Sequence, residues 1–342
     1  MSMTRAPANS RAACATVIVA LFVLAAVADL TAGELKRIAV IELPGPSGLR
    51  FDYLTIDYDD HYLFCAHLGP GLLYVIDLLT NKVVKTIPDL PGIEGLEFVP
   101  DLKKLYTSNW HEDKIAVIDV KTLEVIKKIP TESKPDGSAY AAPFHKLYVS
   151  DETAKAVAIV DVTRDEIVKT LRFDSETGMP QYDPVAKKIY VNLQDQNIFA
   201  VIDPENDQVV GMHPVGKCKG NHGMALDPDH RRAFLACESN SLLTVFDLEK
   251  NAPIAYLPVA DGADVVKFDP GLHRIYVACY SGAISVIEQK DPEHYRKLAD
   301  VAVAHAVHSI AVNTTTHRLY APEQEQDGIP AARLVIYEAT GK

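Results

Sequence analysis

A four-residue phrase returns seven times along this chain. The copies are HYLF (His61–Phe64), KKLY (Lys103–Tyr106), HKLY (His145–Tyr148), KKIY (Lys187–Tyr190), RRAF (Arg231–Phe234), HRIY (His273–Tyr276) and HRLY (His317–Tyr320). Their closing aromatics are separated by 42, 42, 42, 44, 42 and 44 residues. A fixed period of about 40–45 residues marks a stack of like supersecondary units, each the size of a four-stranded propeller blade. Seven copies predict an all-β, seven-bladed β-propeller. That architecture does not name an activity.

The stretch Glu94–Thr131 illustrates one unit. Leu96–Val99 is a short apolar run stopped by Pro100-Asp101, and Lys104–Ser108 follows as a second strand. Asn109–Lys114 reads as a polar loop, Ile115–Val120 as a β-branched third strand, and Glu124–Ile129 as a fourth, closed by Pro130. Short strands punctuated by Pro, Asp and Asn describe an antiparallel meander. No segment sustains a helical period.

The third strand is a second marker in phase with the first. It reads VID or a near variant at Val75–Asp77, Val117–Asp119, Ile159–Asp161, Val201–Asp203, Val245–Asp247, Val286–Glu288 and Val335–Tyr337. An insertion, Glu323–Arg333, displaces the last copy and reads as a loop. Ala339–Lys342 is too short for a further strand, whereas Leu35–Leu43 (LKRIAVIEL) has an unassigned strand pattern. Pairing Leu35–Leu43 beside Val335–Tyr337 would complete blade seven and leave no open sheet edge.

The first residues are read as a leader rather than as fold. Arg5 and Arg11 precede an apolar run, Ala12–Ala28, that ends in the small-x-small site Ala26-Val27-Ala28. The expected organisation is residues 1–28 as signal peptide and residues 34–342 as propeller, in a periplasmic or secreted protein with no membrane span once the leader is removed. Removing Arg5 and Arg11 with no acid would shift the formal charge from -12 to -14. Such a surface repels phosphate backbones and disfavours nucleic acid as a partner. Cys65, Cys218, Cys237 and Cys279 would remain, and four cysteines allow three complete pairings.

The phrases LYTSN (Leu105–Asn109), LYVSD (Leu147–Asp151) and IYVNL (Ile189–Leu193), each followed by a VID-like strand and an apolar fourth strand, resemble the YVTN β-propeller repeat family. The resemblance runs from Leu35 to Tyr337. It implies an exported seven-bladed propeller and leaves the biochemical role open. Cys218-Lys219-Gly220-Asn221-His222-Gly223, with Phe234-Leu235-Ala236-Cys237, resembles a pattern of that family's fifth blade, which implies a Cys218–Cys237 disulfide.

Propeller ligand sites sit where loops converge at a channel mouth. The positions leading into the seven inner strands read Asp52, Glu94, Asp136, Gly178, His222, Asp264 and His308, again at steps of 42, 42, 42, 44, 42 and 44. Six of the seven are ionisable. Carboxylates gathered at close range raise one another's pKa or bind a cation. Glu94, His222, Asp264 and His308 are the candidate metal donors, for Ca²⁺ or Mg²⁺ through carboxylates or for zinc or copper through two histidines and a carboxylate. Asp52 and Asp136 are the candidate catalytic bases.

A second loop set meets the same face. Counting three residues past each repeat aromatic gives His67, Asn109, Asp151, Leu193, Cys237, Cys279 and Glu323, with Trp110, His111, Glu238 and Tyr280 beside them. His67, Asn109, Trp110, Asp151 and Glu238 join the candidate ligand contacts, Trp110 as a stacking platform or a plug between blades. No nucleophile elbow, P-loop, dinucleotide fingerprint, zincin helix or haem-attachment motif occurs. Two functions follow: a binding module presenting the mouth to a small molecule, metal ion or protein, or a divalent-metal-dependent, lactonase-like hydrolase using the same residues.

Overall fold

The computed structural model describes residues 1–3 and 35–340. The apolar run and cleavage site of the expected leader lie outside the described residues. The described residues of Thr31–Lys342 form seven sheets of four antiparallel strands, each built in chain order except the last. Blade two comprises Ile93–Val99, Lys104–Asn109, Lys114–Asp119 and Glu124–Pro130, and the other blades repeat this plan. Its inner strand starts at Ile93, three residues ahead of the apolar run that marks it in the sequence.

The last sheet closes the ring. Ala311–Asn313, Arg318–Gln326 and Ile329–Ala339 supply three strands, and Leu35–Glu42 supplies the fourth, pairing Leu35 with Ala339 and Val40 with Val335. The insertion Glu323–Arg333 is not a loop. It lengthens the second and third strands into a hairpin in which Glu325 pairs with Pro330.

The repeated phrase has a structural cause at both ends. Its closing aromatics, Phe64, Tyr106, Tyr148, Tyr190, Phe234, Tyr276 and Tyr320, are all at most 4% exposed. Burying a large apolar side chain is worth roughly 1.5–3 kcal/mol, so seven such anchors repeat a strong preference for the same packing. Its opening residues, His61, Lys103, His145, Lys187, Arg231, His273 and His317, all take a left-handed backbone, with φ between 49 and 58°. Several use that position to reach the preceding blade: Lys103 pairs with Asp57, Arg231 with the fully buried Asp183, and His317 with Asp269 at 2.8 Å. The aspartates ending the third strands fix turns, as Asp119 does by accepting the Lys121 and Thr122 amides.

Candidate functional site

Inner strands lean toward the ring axis, so their leading residues meet there. Asp52, Glu94, Asp136, His222 and Asp264 line a single cavity of about 190 Å³, together with Arg50, Tyr53, Trp110, Glu152, Gln194, Glu238 and Tyr280. His308 stands just behind this wall, its Nε2 3.4 Å from Asp52 Oδ2 and its ring stacked on Tyr280 at 4.2 Å.

Glycine allows this approach. A Cβ at Gly95 would lie 1.9 Å from the carbonyl oxygen of Asp136, and one at Gly223 would lie 1.8 Å from that of Asp264. Each glycine follows a lead residue and lets the next blade's lead residue close in. Blade four presents Gly178 and contributes no side chain from its lead position. The His222 backbone is pinned by Asn192, whose Nδ2 donates to its carbonyl at 2.8 Å. The Cys218–Cys237 disulfide joins the approach to this strand with the end of the next strand. Cys65 and Cys279 are free and buried.

The charges inside the cavity fall into two groups. Arg50 Nη2 lies 2.8 Å from Asp52 Oδ2 and 3.8 Å from Glu94. Burial would raise the Asp52 carboxyl, but His308 and Arg50 outweigh it and hold it below the ordinary carboxylate range. Glu94 moves the other way: burial, then Asp52 and Asp136, push it well above that range despite Arg50. In the second group, His222 Nε2 lies 3.3 Å from Asp264 Oδ1, 3.8 Å from Asp136 Oδ2 and 3.3 Å from the Tyr53 hydroxyl. Burial would lower His222, yet Asp264 and Asp136 prevail and raise it to about 9. Asp136 is pushed up to about 7 by burial and by Glu152, Asp52 and Asp264, against the pull of His222.

The four candidate metal donors are therefore divided. His222 meets Asp264, His308 meets Asp52, and Glu94 faces Arg50. Among the described residues no three His, Cys, Asp or Glu side chains are grouped so as to hold a metal ion.

The second loop set lies one residue further along than the count of three. His67, Asn109 and Asp151 end their strands fully buried and do not line the cavity. His67 stacks on Phe51 at 3.8 Å and bonds the Tyr74 hydroxyl, Asn109 donates to Glu112, and Asp151 accepts the Glu132 amide. The next residues, Trp110, Glu152, Gln194, Glu238 and Tyr280, reach the cavity. Trp110 carries the Lys134 ammonium over its ring, 3.2 Å from the centroid. Arg50 and Lys134 both stand two residues before a lead position, and they are the only basic residues in that register.

No family model matches the chain, and no curated protein sequence matches it. Solved structures do match in shape. A chain of a mitotic checkpoint complex is similar over 99% of this chain and 99% of its own, at 12% identity and a TM-score of 0.77. The WD40 repeats of RRP9 are similar over 89% and 99%, at 13% identity and a TM-score of 0.74. A chain of hydrazine synthase from Kuenenia stuttgartiensis is similar over 87% and 96%, at 17% identity and a TM-score of 0.72. At these identities the likeness establishes the fold alone. Among the described residues no helix is long and apolar enough to cross a membrane.

Proposed function

We propose that the protein is an exported, YVTN-type propeller that acts as a binding module and receives its ligand at the mouth of the central channel. The observation that carries this reading is convergence. Five of the seven lead residues, from five blades, line one cavity of about 190 Å³, and a sixth braces it through Asp52. Burying so many titratable groups around a concave site is costly to the fold and useful to recognition. The Cys218–Cys237 disulfide supports a periplasmic or secreted location, since such bonds persist in oxidising compartments. A protein partner at the loop face fits the same scaffold role.

The hydrolytic alternative has less support. A metal ligand must be deprotonated, whereas Asp264 and Asp136 hold a proton on His222. Asp52, one candidate base, is engaged by His308 and Arg50. Lactone turnover that depends on added calcium, magnesium, zinc or copper, and that vanishes in His222→Ala with His308→Ala, would replace the binding reading.

The test is a thermal-shift screen across amines, carboxylic acids, sugars, lactones and divalent cations, on the wild type and on Glu238→Trp, which fills the mouth. Binding to the folded state raises the melting temperature with ligand concentration. At least one class is expected to do so, and to lose the effect in Glu238→Trp. No shift with any class, or a shift that Glu238→Trp leaves intact, overturns the reading.

A further inference from the structure

Resting on that binding reading, we infer that the mouth takes a small organic ammonium, held by Asp136 and Asp264, with the rest of the ligand leaving over blade four. Asp136 Oδ2 and Asp264 Oδ1 are buried atoms that accept no hydrogen bond. Both residues are 5% exposed and both line the cavity. Their nearest cation, His222, is a charge partner at 3.3 Å from Asp264 Oδ1 and 3.8 Å from Asp136 Oδ2, but neither contact is a hydrogen bond, and the Nε2 hydrogen bond is shared with the Tyr53 hydroxyl. A buried acceptor without a donor forfeits its hydration with nothing in return, and the loss is larger when the group is charged. An ammonium brings three donors and a positive charge, which matches two carboxyl groups that approach the same His222 Nε2.

The rest of the wall agrees with that choice. Six carboxyl groups, from Asp52, Glu94, Asp136, Glu152, Glu238 and Asp264, face two cationic side chains, Arg50 and His222. Tyr53, Tyr280 and Trp110 add aromatic surface of the kind that stabilises organic cations, with one face of Trp110 taken by Lys134 and one face of Tyr280 by His308. The protein already uses that chemistry at the rim, where the Lys134 ammonium rests on Trp110. A calcium ion instead needs six to eight oxygens converging at about 2.3–2.6 Å. Here Arg50 and His222 stand among the carboxylates, and no such donor group forms among the described residues.

The exit is set by blade four. Gly178 places no side chain in the wall, since the His222 backbone packs against it, and Gln194 and Glu238 are shared with a shallower basin of about 390 Å³ that also carries Glu176, Asp195 and Lys219. A short alkyl chain attached to the ammonium runs across Gln194 toward that basin. A second ammonium at its far end would meet Glu176 and Glu238, with Asp195 already paired to Lys155 and Lys219 at the edge, so a diamine suits the two basins better than a monoamine.

The experiment is titration calorimetry of the mature protein with n-butylamine and putrescine, and with acetate, glucose, calcium and zinc for comparison. Putrescine is expected to bind most tightly. Asp136→Asn and Asp264→Asn should each weaken it about tenfold or more, the equivalent of one charge-assisted hydrogen bond. Glu238→Gln, at the rim, should weaken it severalfold and serves as the readout if the buried variants misfold by circular dichroism. Amine affinity unchanged in all three variants overturns the inference. Binding of a divalent cation, acetate or glucose without binding of either amine also overturns it and leaves the binding reading standing, and no binding by any probe overturns it while the thermal-shift screen alone decides the binding reading.

Discussion

His308 Nε2 lies 3.4 Å from Asp52 Oδ2, across 256 positions of chain. The contact spans the seam where the seventh blade meets the first, and the two residues are 3% and 2% exposed. Removing one partner of a buried ion pair leaves an uncompensated charge and costs about 3–5 kcal/mol. Arg50, half-exposed and 2.8 Å from Asp52, would offset part of that. His308→Ala is therefore expected to lose about 2–4 kcal/mol in urea unfolding, including the stacking on Tyr280. The double variant Asp52→Asn with His308→Ala should recover part of the loss. A His308→Ala loss below about 0.5 kcal/mol, the range of an ordinary surface substitution, would mean that this pair does not brace the seam.

The cavity also makes stability depend on pH in a defined direction. Asp136 is pushed up to about 7 in the fold, while an unfolded aspartate titrates near 3.9, at about the reference value. The folded state therefore binds that proton more tightly. The stabilisation is fully present below about pH 4 and is lost as pH rises through about 7. His222, raised to about 9, extends the decline, since its contribution is complete below about pH 6.5 and lost through about 9. Asp52, held low, works the opposite way and only at acid pH. Asp136→Asn should thus gain on the wild type between about pH 4 and 7, by on the order of 2–4 kcal/mol at most. Denaturant unfolding of both proteins across that range reads the difference, and parallel curves would refute it. Taking the difference cancels buried carboxyls that Asp136 does not perturb, such as Glu97 and Asp151, each also pushed up to about 7, whereas Glu94 and His222 respond to its loss.

Most of the ring was legible because its signals repeat. Seven buried aromatics, seven left-handed openings and the third-strand aspartates each recur for a local reason, and a period survives errors at any one copy. The lead residues shared that register, so Asp52, Glu94, Asp136, His222 and Asp264 could be brought to one place from spacing alone. Of the second loop set, Trp110 and Glu238 line the cavity whereas His67, Asn109 and Asp151 sit one residue earlier and do not. Side chains alternate along a strand, so a shift of one exchanges buried Asn109 and Asp151 for Trp110 and Glu152. Periodicity finds a loop but does not say which of two adjacent residues faces the axis. Arg50 does not stand out by spacing, because of the other positions two residues before a lead only Lys134 is basic. No other blade carries the insertion Glu323–Arg333, so no repeat reports its pairing, and its register in the fold makes it a hairpin.

The glycine after a lead residue is a backbone constraint that no charge pattern reveals. Gly223 does not use a left-handed backbone. Its requirement is space, since a Cβ there would meet the Asp264 carbonyl oxygen at 1.8 Å, and backbone atoms cannot swing aside as a flexible side chain can. Gly137 is a graded comparison, because a Cβ there would meet Met179 and Pro180 atoms at 3.2–3.3 Å, a contact that small shifts relieve. Overpacking of this kind costs about 1–3 kcal/mol. Gly223→Ala should sit at the top of that range and Gly137→Ala near the bottom, by thermal or urea unfolding. Gly223→Ala must also move blade five's inner strand away from blade six, and with it His222 from Asp264. Putrescine affinity should therefore fall more in Gly223→Ala than in Gly137→Ala when both are compared well below their melting temperatures. Equal stability in the two variants would show that the blades have room to spare at the axis, and that glycine is not what draws the lead residues together.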